Sequence, residues 1–158
     1  MQLYIKQRVF SWGDTFFVYD ANGNEKYCVK GEVLSFGRRL HLYDTQGNEL
    51  AFIRQKVWSF LPRYFVMRGE ETVAEVVKQF TFFRQEYEVK GLDWTVKGDF
   101  FDHSYTVSCG DRVVASVEKE WFSFGDAYEI TLDDEACEIT ALAVVLVIDA
   151  CIDDQNDN

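Results

Sequence analysis

Proline is nearly missing from this sequence: Pro62 is the only one among 158 residues. No serine-, glycine- or proline-rich stretch divides the chain, so a single domain is expected. Histidine is almost as scarce. His41 and His103 are the two present, and neither has cysteine or carboxylate neighbours at zinc-ligand spacing. The four cysteines (Cys28, Cys109, Cys137 and Cys151) contain no CxxC pair, and the opening MQLYIKQRVFSWGD lacks the apolar core of a secretory signal. They are expected as reduced, mostly buried thiols in a cytoplasmic protein. There is no glycine-rich phosphate loop and no nucleophile elbow. Asp102-His103-Ser104 holds the residue types of a catalytic triad, but sequence neighbours rarely assemble one. These absences lead to the expectation of a protein that is not an enzyme and needs no metal or cofactor.

Positive charge is short as well. The chain has 16 Lys+Arg against 27 Asp+Glu, a net charge of -11, which argues against nucleic acid as a partner. The deficit is uneven: residues 1–68 carry 10 basic and 6 acidic side chains, residues 69–158 carry 6 and 21. Long apolar runs are missing too. The main one, residues 139–148, stops at Asp149, well short of the ~20 residues a transmembrane helix requires. No transmembrane span is expected, and contact with a membrane would be peripheral.

What the chain does have is aromatics and repetition. Its 14 Phe, 8 Tyr and 4 Trp favour half-buried pleated surfaces. The stretch VFSWGDTFFVYDANGNE from Val9 returns at Val33 as VLSFGRRLHLYDTQGNE, 24 residues on, with 8 of 17 positions identical. The pattern continues in VWSFLPRYFVM, QFTFFRQEYEV, DFFDHSYTV and EWFSFGDAYEI. Six aromatic turns thus recur at supersecondary spacing. Between them lie turns such as Asn22-Gly23-Asn24, Gln46-Gly47-Asn48 and Cys109-Gly110-Asp111, whose glycines suit the positive φ of hairpins. The segments from Asp20 to Glu25 and from Asp44 to Glu49 are faintly like calcium loops. Their glycine is fourth where an EF-hand needs it sixth, and hairpin turns explain every residue.

Counting the segments between turns predicts twelve strands, near 2–10, 14–20, 25–34, 39–44, 49–58, 63–68, 72–80, 85–90, 93–100, 104–108, 112–121 and 127–132. Short connections make each pair antiparallel, and closure into a barrel removes the two unpaired edges. A barrel of about eight strands fills itself with side chains, so twelve should need a plug. Residues 135–151 are predicted to be that plug, a hydrophobic C-terminal helix capped by Asp133 or Asp134 and apolar on every face near its middle. Residues 1–152 then form one domain, and 153–158 read as an acidic disordered tail.

The motifs SWGD, YDxxGNE, WSFLPRY, EWFSFGDAYE and ALAVVLVID, in that order from about Ile5 to Cys151, resemble the LURP-one-related family, especially its bacterial members. The resemblance implies the tubby C-terminal-like fold shared with phospholipid scramblases: a mostly β, twelve-stranded antiparallel closed barrel around a buried hydrophobic C-terminal helix. Tubby domains bind phosphoinositides and scramblase-like members are lipid-linked, but no lipid-binding position of theirs is matched here. Most members of the family have no established biochemical activity.

Two groups of side chains bear on function. Phe10, Trp12, Phe36, Trp58, Phe60, Phe82, Trp121 and Phe124 sit at the aromatic turns and are expected to pack into the core at the barrel ends. Arg38, Arg39, Arg63 and Arg84 follow those turns, so closure gathers them on one rim with Asp14, Asp102 and Asp126. They are the candidates for an anionic ligand, given arginine's fit to phosphate and carboxylate. A helix returning through the barrel would bring Asp153, Asp154 and Asp157 to the same rim. Two functional readings follow: a non-catalytic interaction or scaffold domain with an unknown protein partner, or a binder of phospholipid, phosphoinositide or another anionic ligand through its headgroup at the basic rim.

Overall fold

The turn chemistry of the repeat is realised twice in the same form. Asp20 accepts hydrogen bonds at one carboxylate oxygen from the backbone N–H groups of Asn22 and Asn24, both at 2.9 Å. Asp44 does the same for Gln46 and Asn48. Gly23 and Gly47 take up the positive φ, +82° and +85°, that closes each hairpin. These bonds hold both carboxylates below their usual range, with Asn24 the largest influence on Asp20 and the Asn48 side chain on Asp44.

The computed structural model describes residues 1–6, 15–80, 85–122 and 125–156. The first six strands are β1 (Gln2–Lys6), β2 (Thr15–Asp20), β3 (Glu25–Gly31), β4 (Arg39–Asp44), β5 (Glu49–Gln55) and β6 (Arg63–Arg68). The second six are β7 (Glu71–Phe80), β8 (Gln85–Lys90), β9 (Trp94–Asp99), β10 (Ser104–Cys109), β11 (Arg112–Phe122) and β12 (Gly125–Leu132). Each pairs antiparallel with its sequence neighbour, and β1 pairs with β12, from Gln2 opposite Thr131 to Lys6 opposite Ala127, to close the barrel. No edge is left. The register shifts between Val18 and Tyr19, between Leu42 and Tyr43, and between Val66 and Met67, one bulge in each of the first three repeat units, and again between Val107 and Ser108. A bulge bends its strand and increases local twist, which is what a sheet needs in order to curl. The repeat is therefore architectural, a hairpin with its own bend.

Helix α1 (Glu138–Asn156) fills the interior after a single 3-10 turn at Glu135–Cys137. Asp134 caps that turn, accepting from the Ala136 N–H at 3.1 Å. Ala141 to Ile148 are buried without a break, as expected of a helix with protein on every side. Polar contacts pin its start to one end of the barrel. Lys26 Nζ lies 2.6 Å from Glu138, Tyr27 donates to the same carboxylate at 2.5 Å, and Arg112 meets Asp134 at 3.0 Å.

Three expectations are corrected. The helix does not stop at 151 but runs to Asn156, so Asp153 and Asp154 are helical rather than part of a disordered tail; residues 157 and 158 lie outside the described residues. Strands β3 and β5 end at Gly31 and Gln55, three residues earlier than expected, because the chain there turns out of the sheet. All four cysteines are free, but only Cys151 is buried, since Cys28, Cys109 and Cys137 sit half-buried where the strands and the helix start meet solvent. Among the described residues no helix is long and apolar enough to cross a membrane.

Candidate functional site

The two ends of the barrel differ in chemistry. One carries the Asn-Gly-type hairpins and the start of α1. At the other, the connections 32–38 and 56–62 present apolar side chains to solvent. Leu34 and Phe60 are fully exposed, Trp58 is 89% exposed and Phe36 71%. This overturns the expectation that the turn aromatics pack into the core, as far as Phe36, Trp58 and Phe60 are concerned. Phe10, Trp12, Phe82, Phe124 and the side chain of Trp121 lie outside the described residues. The physical reason is that the interior is already occupied. Inward strand residues and α1 occupy it, from Leu3 and Val18 on the wall to Ala141–Ile148 on the helix.

The loops are held at their bases while their tips face out. The Gln55 N–H donates to the Arg38 carbonyl at 2.8 Å, and the Arg38 N–H to Gln55 Oε1 at 3.0 Å. Ser35 Oγ donates to the Gly37 carbonyl at 2.6 Å. Gly37 sits at φ +83°, and a Cβ there would meet Val57 Cγ2 at 2.8 Å, so a glycine is needed where the two loops touch. Trp58 itself has φ +61°, an uncommon conformation for a bulky residue, and it directs the indole outward. The rings of Phe36 and Trp58 lie 6.3 Å apart across the two loops.

Just inside this rim the barrel wall becomes polar. The early inward positions of β2, β4 and β6 are Phe16, Leu40 and Tyr64, exactly one repeat apart in sequence, and Tyr87, Tyr105 and Tyr128 follow on β8, β10 and β12. The four phenols surround the end of α1. Tyr128 donates to Asp149 Oδ2 at 2.5 Å, and Tyr64 is 3.5 Å from Asp154 Oδ2. Tyr87 reaches the Cys151 thiol, and burial pushes that thiol up to about 12. Asp149 is half-buried, beside the buried Tyr128 side chain. Burial pushes its carboxyl up to about 7, the Tyr128 hydrogen bond pulls the other way, Asp153 raises it further and Arg38 lowers it. The His103 ring packs 4.8 Å from that of Tyr128, and burial and Lys119 hold the imidazole below its ordinary value, with Asp102 opposing.

The arginine candidates fall at this same end, but not as an open cluster. Arg38 is only 1% exposed, and it points into the mouth of the barrel, with Nη2 2.7 Å from Asp154 and Nη1 3.9 Å from Asp153. Arg39 is exposed and stands 3.8 Å from Glu32, while Arg63 pairs with Glu75 at 2.8 Å. Arg84 lies outside the described residues. The expected meeting of Asp153 and Asp154 with Arg38 occurs, as an anchored helix end instead of a loose tail. Among the described residues no group of three or more His, Cys, Asp or Glu side chains has metal-holding geometry. Sequence reading missed the phenol ring, although the 24-residue step from Phe16 to Leu40 to Tyr64 was there to find it.

Comparison with known proteins adds three findings. The model of the LURP-one-related family matches residues 1–149. YxjI of Bacillus subtilis, an uncharacterized protein, is 34% identical over 148 residues, covering 92% of this chain and 91% of its own. The X-ray structure of an Arabidopsis thaliana protein aligns with a TM-score of 0.60 at 20% identity, over 94% of this chain and 90% of that one, a likeness of fold.

Proposed function

Because this chain belongs to the LURP-one-related family, in which the matched relative YxjI is itself uncharacterized, we propose from the geometry of its own surface that it is a non-catalytic interaction domain. Its contact surface is the aromatic end of the barrel. One observation carries the reading: Leu34, Phe36, Trp58 and Phe60 project into solvent from two loops whose bases are fixed. Clustered exposed apolar side chains mark contact sites on soluble domains. The non-catalytic half of the reading is supported by the state of the polar cluster. Asp149, Asp154 and Arg38 hold the helix end, and a thiol pushed as high as that of Cys151 is a poor nucleophile.

Of the two classes of partner, a lipid surface has the better support. The tips bring Leu34, Phe36, Trp58 and Phe60 out at one end of the barrel, an apolar set that can insert into a bilayer surface. Tryptophan and phenylalanine suit the membrane interface. The cations Lys30, Arg39, Arg54 and Lys56 lie on or beside the same loops, in the half of the chain with a positive balance. Capture of a single anionic headgroup by Arg38, Arg39 and Arg63 is less well supported, since each already faces a carboxylate. Vesicle flotation tests the reading. The protein should float with vesicles of phosphatidylcholine and phosphatidylglycerol at low salt, and less so at high salt. Leu34→Ser with Phe60→Ser should reduce the bound fraction about tenfold, from roughly 1.4 kcal/mol or more of lost apolar insertion. Val113→Ser, at the opposite end, should leave it unchanged. No flotation, or flotation indifferent to the rim pair, would remove the lipid partner.

A further inference from the structure

The last turns of α1 contain Asp149, Asp153 and Asp154, and the last turn has no basic residue. Carboxylates at a helix C-terminus oppose the helix dipole, so the local sequence disfavours the turn it forms. The tertiary structure supplies the compensation from elsewhere. Arg38, in the connection between β3 and β4, faces Asp154 at 2.7 Å and Asp153 at 3.9 Å. The same connection bears Leu34 and Phe36, and its base is tied to β5 through Gln55.

Asp149 lies one turn before Asp153. Among the described residues, the groups around it are the Tyr128 hydroxyl of β12, Tyr105 of β10, Asp153 of α1 itself and Arg38 of the loop. His103 and Lys119 stand behind Tyr128, and Tyr64, Tyr87, Cys151 and Asp154 lie at the same mouth. We propose that Asp149 is the proton-operated part of a latch that seats the end of α1 in the barrel mouth and, through Arg38, orders the loop carrying Leu34 and Phe36.

With its proton in place Asp149 is neutral, and Arg38 serves two carboxylates. Loss of that proton adds a third negative charge beside Asp153, in a wall of phenols and apolar side chains. Arg38 is then shared among three, and the electrostatics of the terminal turn revert towards what its own sequence favours. The turn loosens, Arg38 loses its fixed partners, and loop 32–38 follows. Partial burial among the phenols pushes the Asp149 carboxyl up to about 7, so the change falls near neutrality. Breakage of such a device is local, because the strands are held by their own ladders.

Amide hydrogen exchange of the intact chain, followed by NMR at pH 5.5 and pH 8.5 and corrected for intrinsic rates, tests this. Protection of residues 150–156 and 33–40 should fall about tenfold or more at the higher pH, while Thr95 to Lys97 in β9 keep theirs. Asp149→Asn, which retains an acceptor for Tyr128, should protect both segments equally at the two pH values. Wild-type protection that does not change with pH overturns the proposal, as does an Asp149→Asn variant that loses protection as the wild type does. If that variant fails to fold, the wild-type comparison decides alone.

Discussion

At the scale of single residues, Asp149 shows how burial turns an ordinary carboxylate into a group that titrates near pH 7. Its carboxyl is pushed up from 3.8 to about 7. Between those values the folded protein holds a proton that the unfolded chain has released. The associated stability is complete at pH below about 4 and is lost as pH rises through about 7. Asp20 and Asp44 act with the opposite sign but in a different window. Their carboxyls are lowered, so their contribution is present above about pH 4 and is lost only in more acid solution. The melting temperature should therefore fall between pH 5 and pH 8, and Asp149→Asn should flatten that slope and raise the melting temperature at pH 8. Thermal melts of the two proteins at four pH values check this. A wild-type curve that is flat across the interval, or an unchanged slope in the variant, contradicts it.

At the scale of elements, α1 was legible from its composition and its end was not. Apolar residues on all faces from Ala141 to Ile148 predicted an enclosed helix, and the structure encloses it. The boundary failed because acidic residues at 153 and 154 read as solvated tail. Nothing near them in sequence announces Arg38, which holds them from the far side of the chain. Such long-range pairs override local preference and leave no periodic trace. The helix also carries a prediction. Leu146→Ala should cost about 2–5 kcal/mol by leaving a cavity in a core that cannot collapse around a closed barrel. Val145→Asp should prevent soluble folding, because it buries a charge with no partner. Denaturant titration of the first and expression of the second are the checks, and a wild-type-like melt of Val145→Asp would contradict the enclosed helix.

At the scale of the whole molecule, the barrel is polar along its axis. Hairpins such as Asp20–Glu25 and Asp44–Glu49 form one end, and exposed Leu34, Phe36, Trp58 and Phe60 the other. The strand count was readable because each hairpin states its own turn and repeats it. The facing of the turn aromatics was not, since a ring beside a glycine reads the same whether it points inward or outward. Only the filled interior decides. The account's central claim is that this aromatic end is where the protein meets its partner. A photoreactive side chain placed at Phe60 in living cells tests it most directly, with the same probe at Val113 as the comparison. Lipid or protein adducts at Phe60, and few or none at Val113, are the predicted result. Equal labelling at both ends, or none at Phe60, would contradict it.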